Sequence, residues 1–121
     1  MEYFITHKRE LNEKEKELLH FLFNKEKTEW ESLIDNLKII ARCGCGKCPT
    51  VLFGYSFDDE VKINQSLIID YMGKGENGEL IGVSLFGNNE MPTELEFYSI
   101  DGQNEITESP IIKTLEPLNS K

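Results

Sequence analysis

Apolar residues recur at helical spacing through the first part of the chain and at strand spacing after it. Leu11, Leu18, Leu19, Leu22 and Phe23 fall with Glu15 on one helical face, opposite Glu13, Lys14, Lys16 and Glu17. Asn12 followed by Glu15 reads as a capping box, in which each residue's side chain bonds the other's backbone N–H. The pattern predicts a helix over about 12–24. Thr28 and Glu31 form a second such pair, and Trp30, Leu33, Ile34 and Leu37 follow at helical spacing, predicting a helix over about 29–37.

After Leu37 the period drops to two. Lys38 to Arg42 predicts a short strand, and Val51, Phe53, Tyr55 and Phe57 alternate as a second one. Asp58, Asp59 and Glu60 make a polar turn. Leu67 to Met72 and Leu80 to Phe86 predict strands joined through Gly73 to Gly78, where Asn77-Gly78 suits a tight hairpin. Gly87, Asn88, Asn89 and Pro92 turn the chain again. On the next strand Leu95 and Phe97 point one way, and Glu94, Glu96 and Tyr98 the other. Ile111 to Leu115, set between Pro110 and Pro117, predicts a last edge strand.

Short connections between successive strands imply antiparallel pairing. The expected fold is therefore α+β: two N-terminal helices packed on an antiparallel β-meander of four to six strands, with an acidic second face partly open to solvent. A single domain over residues 1–121 accommodates it, with an N-terminal arm at 1–10, helices at 11–37, the sheet at 38–116 and a tail at 117–121.

Charge adds a direction. The net charge is −9, with −3 in residues 1–60 and −6 in residues 61–121. Such a surface repels nucleic-acid phosphates and steers basic partners toward it. No stretch approaches the roughly 18 apolar residues that span a bilayer, and Met1 to Glu10 lacks an apolar signal core. The expected location is cytoplasmic.

The sharpest chemistry lies in Arg42-Cys43-Gly44-Cys45-Gly46-Lys47-Cys48-Pro49. All three cysteines of the chain fall within it, an odd number that makes no disulfide framework. Glycines on both sides of Cys45 free the backbone to turn three sulfurs toward one point. Thiolates suit zinc, which takes four ligands, and His20, His7 or a carboxylate is a candidate for the fourth. The plainer expectation is a Gly/Pro-rich turn whose reduced cysteines pack under the helices. Cys45 and Cys48 also have the spacing of a redox dithiol, without the β-α-β surroundings of that fold.

Other chemistries find little footing. No serine sits in a Gly-x-Ser-x-Gly elbow, and Gly73-Lys74-Gly75 lacks the phosphate-loop spacing. What remains is a binding surface: Glu90, Glu94, Glu96, Tyr98 and Asp101 gather on or beside one strand, where carboxylates around an aromatic suit an Arg/Lys-rich partner.

Two segments together resemble a known family: Leu11-Asn-Glu-Lys-Glu-Lys-Glu-Leu-Leu-His-Phe-Leu, and Ile39-Ile-Ala-Arg-Cys-Gly-Cys-Gly-Lys-Cys-Pro-Thr. They are similar to a family of small uncharacterised bacterial proteins. Those proteins have an N-terminal Leu-Thr-x-x-Glu-like helix, an Arg-Cys-x-Cys-Gly-Cys-Pro-Ser/Thr segment and closing strands. This chain departs from the pattern by Lys47, inserted before Cys48. The resemblance implies a bacterial origin and a helix-then-strand order, and no activity.

The sequence thus reads as a non-enzymatic, acidic binding protein of the bacterial cytosol that works without a cofactor. Its most concrete form is an immunity protein that neutralises a toxin by blocking its basic active site. The alternative is a small structural zinc-binding module organised by Cys43, Cys45 and Cys48.

Overall fold

The structure is a computed structural model that describes residues 4–26, 28–45, 47–102 and 105–118. The elements run β1 (Phe4–Glu10), α1 (Glu13–Glu26), a 3₁₀ helix (Glu29–Asn36), β2 (Lys38–Cys43), β3 (Val51–Gly54), β4 (Ser66–Lys74), β5 (Leu80–Gly87), β6 (Pro92–Ser99), a short 3₁₀ turn (Ile112–Thr114) and β7 (Glu116–Pro117). The strands make one seven-stranded sheet in the order β1-β2-β3-β6-β5-β4-β7. Every pairing is antiparallel.

This overturns the expected two helices on a four-to-six-stranded meander. The described residues are mostly β, with one α-helix, one 3₁₀ helix and the short 3₁₀ turn, and the sheet is not a simple meander because β3 pairs with β6 rather than with β4. Alternating polarity tells which face of a strand meets the core but not which strand lies beside it.

The N-terminal segment is not an arm over its described part. Phe4–Glu10 pairs with β2 as an edge strand. Edge strands carry charge to discourage pairing with other chains, and Lys8, Arg9 and Glu10 gave this one the look of a solvated tail. The strand predicted through Phe57 ends at Gly54, because the Asp59 carboxylate accepts from the Tyr55 and Ser56 N–H groups at 2.8 and 3.1 Å and pulls the chain into a turn. The strand predicted at Ile111 to Leu115 is a 3₁₀ turn. There Thr114 Oγ1 donates to the Ile111 carbonyl at 2.6 Å and accepts from the Lys74 N–H at 2.8 Å, and the edge strand forms two residues later. Residues 119–121 of the expected tail lie outside the described residues.

The helix signals hold for α1. Glu15 N–H donates to Asn12 Oδ1 at 2.8 Å, and Asn12 N–H donates to Glu15 Oε1 at 2.9 Å, so the first capping box closes in both directions. The second closes only in part. Thr28 Oγ1 accepts from Trp30 N–H, but Glu31 turns to His20, and the Thr28 N–H bonds Phe23 O instead.

Leu18, Leu19, Leu22 and Phe23 of α1 are buried against one face of the sheet with Ile39, Val51, Phe53, Val83, Leu85 and Leu95. Phe23 meets Trp30 edge-on at 5.7 Å, which ties the 3₁₀ helix to the same core. The opposite face carries a different chemistry. Asp70, Ser84 and Glu96 pair side by side across β4, β5 and β6, with Phe86, Glu94 and Leu52 on the next rung. Among the described residues no helix is long and apolar enough to cross a membrane.

Candidate metal centre and acidic sheet face

The three cysteines sit where β2 ends and β3 has not yet begun. Arg42 pairs with Val51 on β3, and Cys43 N–H bonds the Thr50 carbonyl at 3.1 Å, so the intervening residues form a loop fixed at both ends. Within it the backbone turns around one sulfur. The N–H groups of Lys47 and Cys48 both donate to Cys45 Sγ, at 3.4 and 3.3 Å. Cys45 and Cys48 Sγ lie 3.3 Å apart, and the three Sγ atoms all lie within 4.8 Å of one another. Thiolates bound to zinc at about 2.3 Å in a tetrahedron stand about 3.8 Å apart, so the cluster fits the span of a metal centre. Cys43, Cys45 and Cys48 can therefore hold a metal ion. The role expected of Gly46 falls outside the described residues.

The sulfurs differ electrostatically. The N–H groups of Cys48 and then Lys47 bring the exposed Cys45 thiol down to about 6. Burial pushes the Cys43 thiol up to about 12. A dication draws all three to the thiolate form, because metal binding displaces the proton. The cysteines do not pack under the helices, as the plainer expectation had it: Cys45 is exposed, and Cys43 and Cys48 are half-buried beside the loop.

Neither histidine joins the cluster among the described residues. His20 is an exposed residue of α1 whose Nδ1 lies 3.1 Å from Glu31 Oε2. His7 accepts from Arg9 Nε at 3.1 Å, and burial, then the Arg9 charge, lowers its pKa. Glu105 also lies outside the sulfur cluster, but it approaches the loop: its carboxylate is 3.6 Å from Lys47 Nζ, and it lines with Cys45, Cys48, Phe97 and Ile106 a cavity of about 190 Å³. Sequence spacing gave no hint of Glu105, because it reaches the loop only through the folding of β6 and the segment after it.

The five predicted partner-binding residues are split. Glu94, Glu96 and Tyr98 share the outer face of β6, while the exposed Glu90 and Asp101 lie beyond its two ends. Asp101 accepts from Ser99 Oγ at 3.0 Å. Folding adds Asp70, which the sequence reading missed inside an apolar run. Its Oδ1 accepts from Ser84 Oγ at 2.9 Å and from the Tyr98 hydroxyl at 3.5 Å. The group is crowded with negative charge. Burial, then Glu96, pushes the Glu94 carboxyl up to about 7. Burial, then Asp70, raises Glu96.

A cavity of about 670 Å³ lies between α1, the β4–β5 turn and residues 106–113, and shares Ile106 with the cavity beside the cysteines. Phe21, Ile81, Ile106 and Pro110 line it with Glu76 and Lys113 among the polar groups. Its size suits a small ligand, and Thr107 and Ser109 line it, but among the described residues neither hydroxyl is hydrogen-bonded to a base, so the cysteine loop is the better candidate.

No protein-family model matches the chain, and neither the curated proteins nor the solved structures contain a match to it.

Proposed function

We propose that this protein is a small metal-binding module in which Cys43, Cys45 and Cys48 hold zinc. One observation carries the reading: three sulfurs lie within 4.8 Å of one another on a loop that directs two backbone N–H groups at Cys45. Backbone donors stabilise a thiolate before metal arrives, and they satisfy its remaining lone pairs afterwards. The ion would fasten the β2–β3 loop, a structural rather than catalytic role. The reading assigns the protein to the reducing cytosol, where thiols stay free to ligate.

The test is metal content and its link to stability. Protein purified in the presence of zinc is expected to carry one ion per chain in its native mass spectrum. Its melting midpoint is expected to fall on chelation and to recover when zinc is returned. Metal-free protein with an unchanged midpoint in zinc would end the reading.

The acidic sheet face favours a second reading, an acidic binding protein whose concrete form is an immunity protein for a toxin. Asp70, Glu94 and Glu96 crowd together, and none of them is in a salt bridge with a cation among the described residues. A partner's Arg or Lys would relieve that repulsion. Capture of one stoichiometric basic partner, weakened by salt and by Glu94→Lys with Glu96→Lys, supports it. Binding indifferent to both changes speaks against it.

A further inference from the structure

Zinc closes a tetrahedron with four ligands; the cysteine loop supplies three, and among the described residues no histidine or carboxylate stands with them, so a fourth must swing in. Both histidines are held elsewhere, by Arg9 and by Glu31. Glu105 is the carboxylate that lines the cavity touched by Cys45 and Cys48. Its neighbour Ile106 is 5% exposed and packed into the core, so the backbone beside Glu105 is anchored near the loop. The Glu105 carboxylate is itself 62% exposed, and among the described residues its ion pair is the 3.6 Å contact with Lys47. An exposed pair of that length is worth little, and exchanging it for a metal–oxygen bond costs little.

Resting on the metal-binding reading, we propose that Glu105 is the fourth ligand, an oxygen donor that leaves Lys47 to close the coordination sphere. Three thiolates and a carboxylate around a dication leave a net charge of −2. Lys47, next to the sulfurs in the loop, remains in place to offset part of it. The centre would then join two segments far apart in the sequence, the β2–β3 loop and the stretch following β6. That explains how a metal held mainly by one short loop would stabilise the whole sheet.

The test uses cobalt(II) as an optical probe, titrated into the full chain and three variants: Glu105→Ala, Glu105→Cys and Lys47→Ala. Wild type is expected to show sulfur-to-cobalt charge transfer from three thiolates and the d–d bands of a tetrahedral site. Glu105→Ala keeps the charge transfer but weakens binding by about tenfold or more, the lower end of what losing even an outer-shell partner costs. Glu105→Cys raises the charge-transfer intensity by about a third, since four sulfurs replace three around the tetrahedral ion. Lys47→Ala keeps the wild-type spectrum and loses less affinity than Glu105→Ala, because it frees the carboxylate while removing the charge that offsets the centre; a Glu105 that acts only through Lys47 would make the Lys47→Ala and Glu105→Ala variants behave alike. Wild-type affinity and spectrum in Glu105→Ala would overturn the ligand assignment while leaving the three-cysteine centre standing. A wild-type chain that takes up no cobalt would overturn the metal reading itself.

Discussion

The ring of Tyr98 occupies the space that a side chain at Gly82 would fill. The two residues pair across β6 and β5, and a Cβ built at Gly82 would overlap the ring. Glycine there is a packing requirement rather than a turn. It lets the tyrosine lie close to the sheet, with its hydroxyl toward Asp70.

Gly82→Ala is therefore expected to destabilise the fold by about 1–3 kcal/mol, the usual cost of overpacking. The cause can be isolated with a double-mutant cycle. In Tyr98→Ala the obstructing ring is gone, so adding Gly82→Ala should cost far less than it does in wild type. Urea unfolding of the four proteins measures the coupling, and additive effects would mean that the ring does not set the cost.

Glu94 gives the acidic face a signature in pH. Its carboxyl ordinarily titrates at 4.5 and is held up at about 7 in the folded protein. The folded state thus binds this proton more tightly than the unfolded chain does. Stability from this group is fully present below 4.5 and drains away as pH rises toward about 7. Glu94→Gln should flatten that slope and be more stable than wild type at pH 8, by about 1 kcal/mol after allowing for solvent screening on this partly exposed face. Melting midpoints of both proteins from about pH 4.5 to about pH 8 decide it; parallel curves would remove Glu94 as the cause.

Glu15 stands at a junction between two elements. Arg9 of β1 grips both its oxygens at 2.8 Å, while one of them also closes the capping box with Asn12. Its side chain is only 12% exposed, so these bonds are partly shielded from water. Glu15→Ala removes cap and fork together and should cost about 2 kcal/mol. Glu15→Gln can keep the cap and should lose about half as much. Equal losses in denaturant unfolding would show that the Arg9 charge pair carries the whole effect.

The α1 helix could be read from the chain because both of its signals are local, a stripe repeating every turn and a cap spanning three residues. The facing of β6 was legible for the same reason: Leu95 and Phe97 go inward, with Glu94, Glu96 and Tyr98 outward. Strand neighbours were not legible. Pairing β3 with β6 brings Leu52 beside Glu94 across a long stretch of chain, and no period in the sequence records it. Asp70 joins Glu96 through the registers of two consecutive hairpins, β4–β5 and β5–β6, and Glu105 reaches Lys47 across a long stretch of chain. The cysteine cluster was visible as spacing, but the donors on Cys45 come from the loop's backbone path, which composition does not state.

That backbone path also ranks the sulfurs by reactivity. In metal-free, reduced protein at neutral pH, Cys45 is mostly thiolate because its pKa lies at about 6. Cys43, pushed up to about 12 by burial, remains a thiol. Thiolates alkylate and thiols do not, so brief iodoacetamide treatment should label Cys45 first and Cys43 last. Exposure runs the same way, since Cys45 is exposed and Cys43 half-buried. Access alone would give that order at any pH, however, whereas the hydrogen-bonded thiolate predicts that the Cys45 rate has already levelled off by about pH 7, about one unit above its pKa. Peptide mapping of the label across pH separates the two causes. A Cys45 rate still climbing through pH 8.5, the range of an ordinary thiol, would mean that the Lys47 and Cys48 N–H groups do not hold its charge. Zinc added before the reagent should slow all three sites together if they share one ion, and slowing at Cys45 and Cys48 alone would leave Cys43 outside the centre.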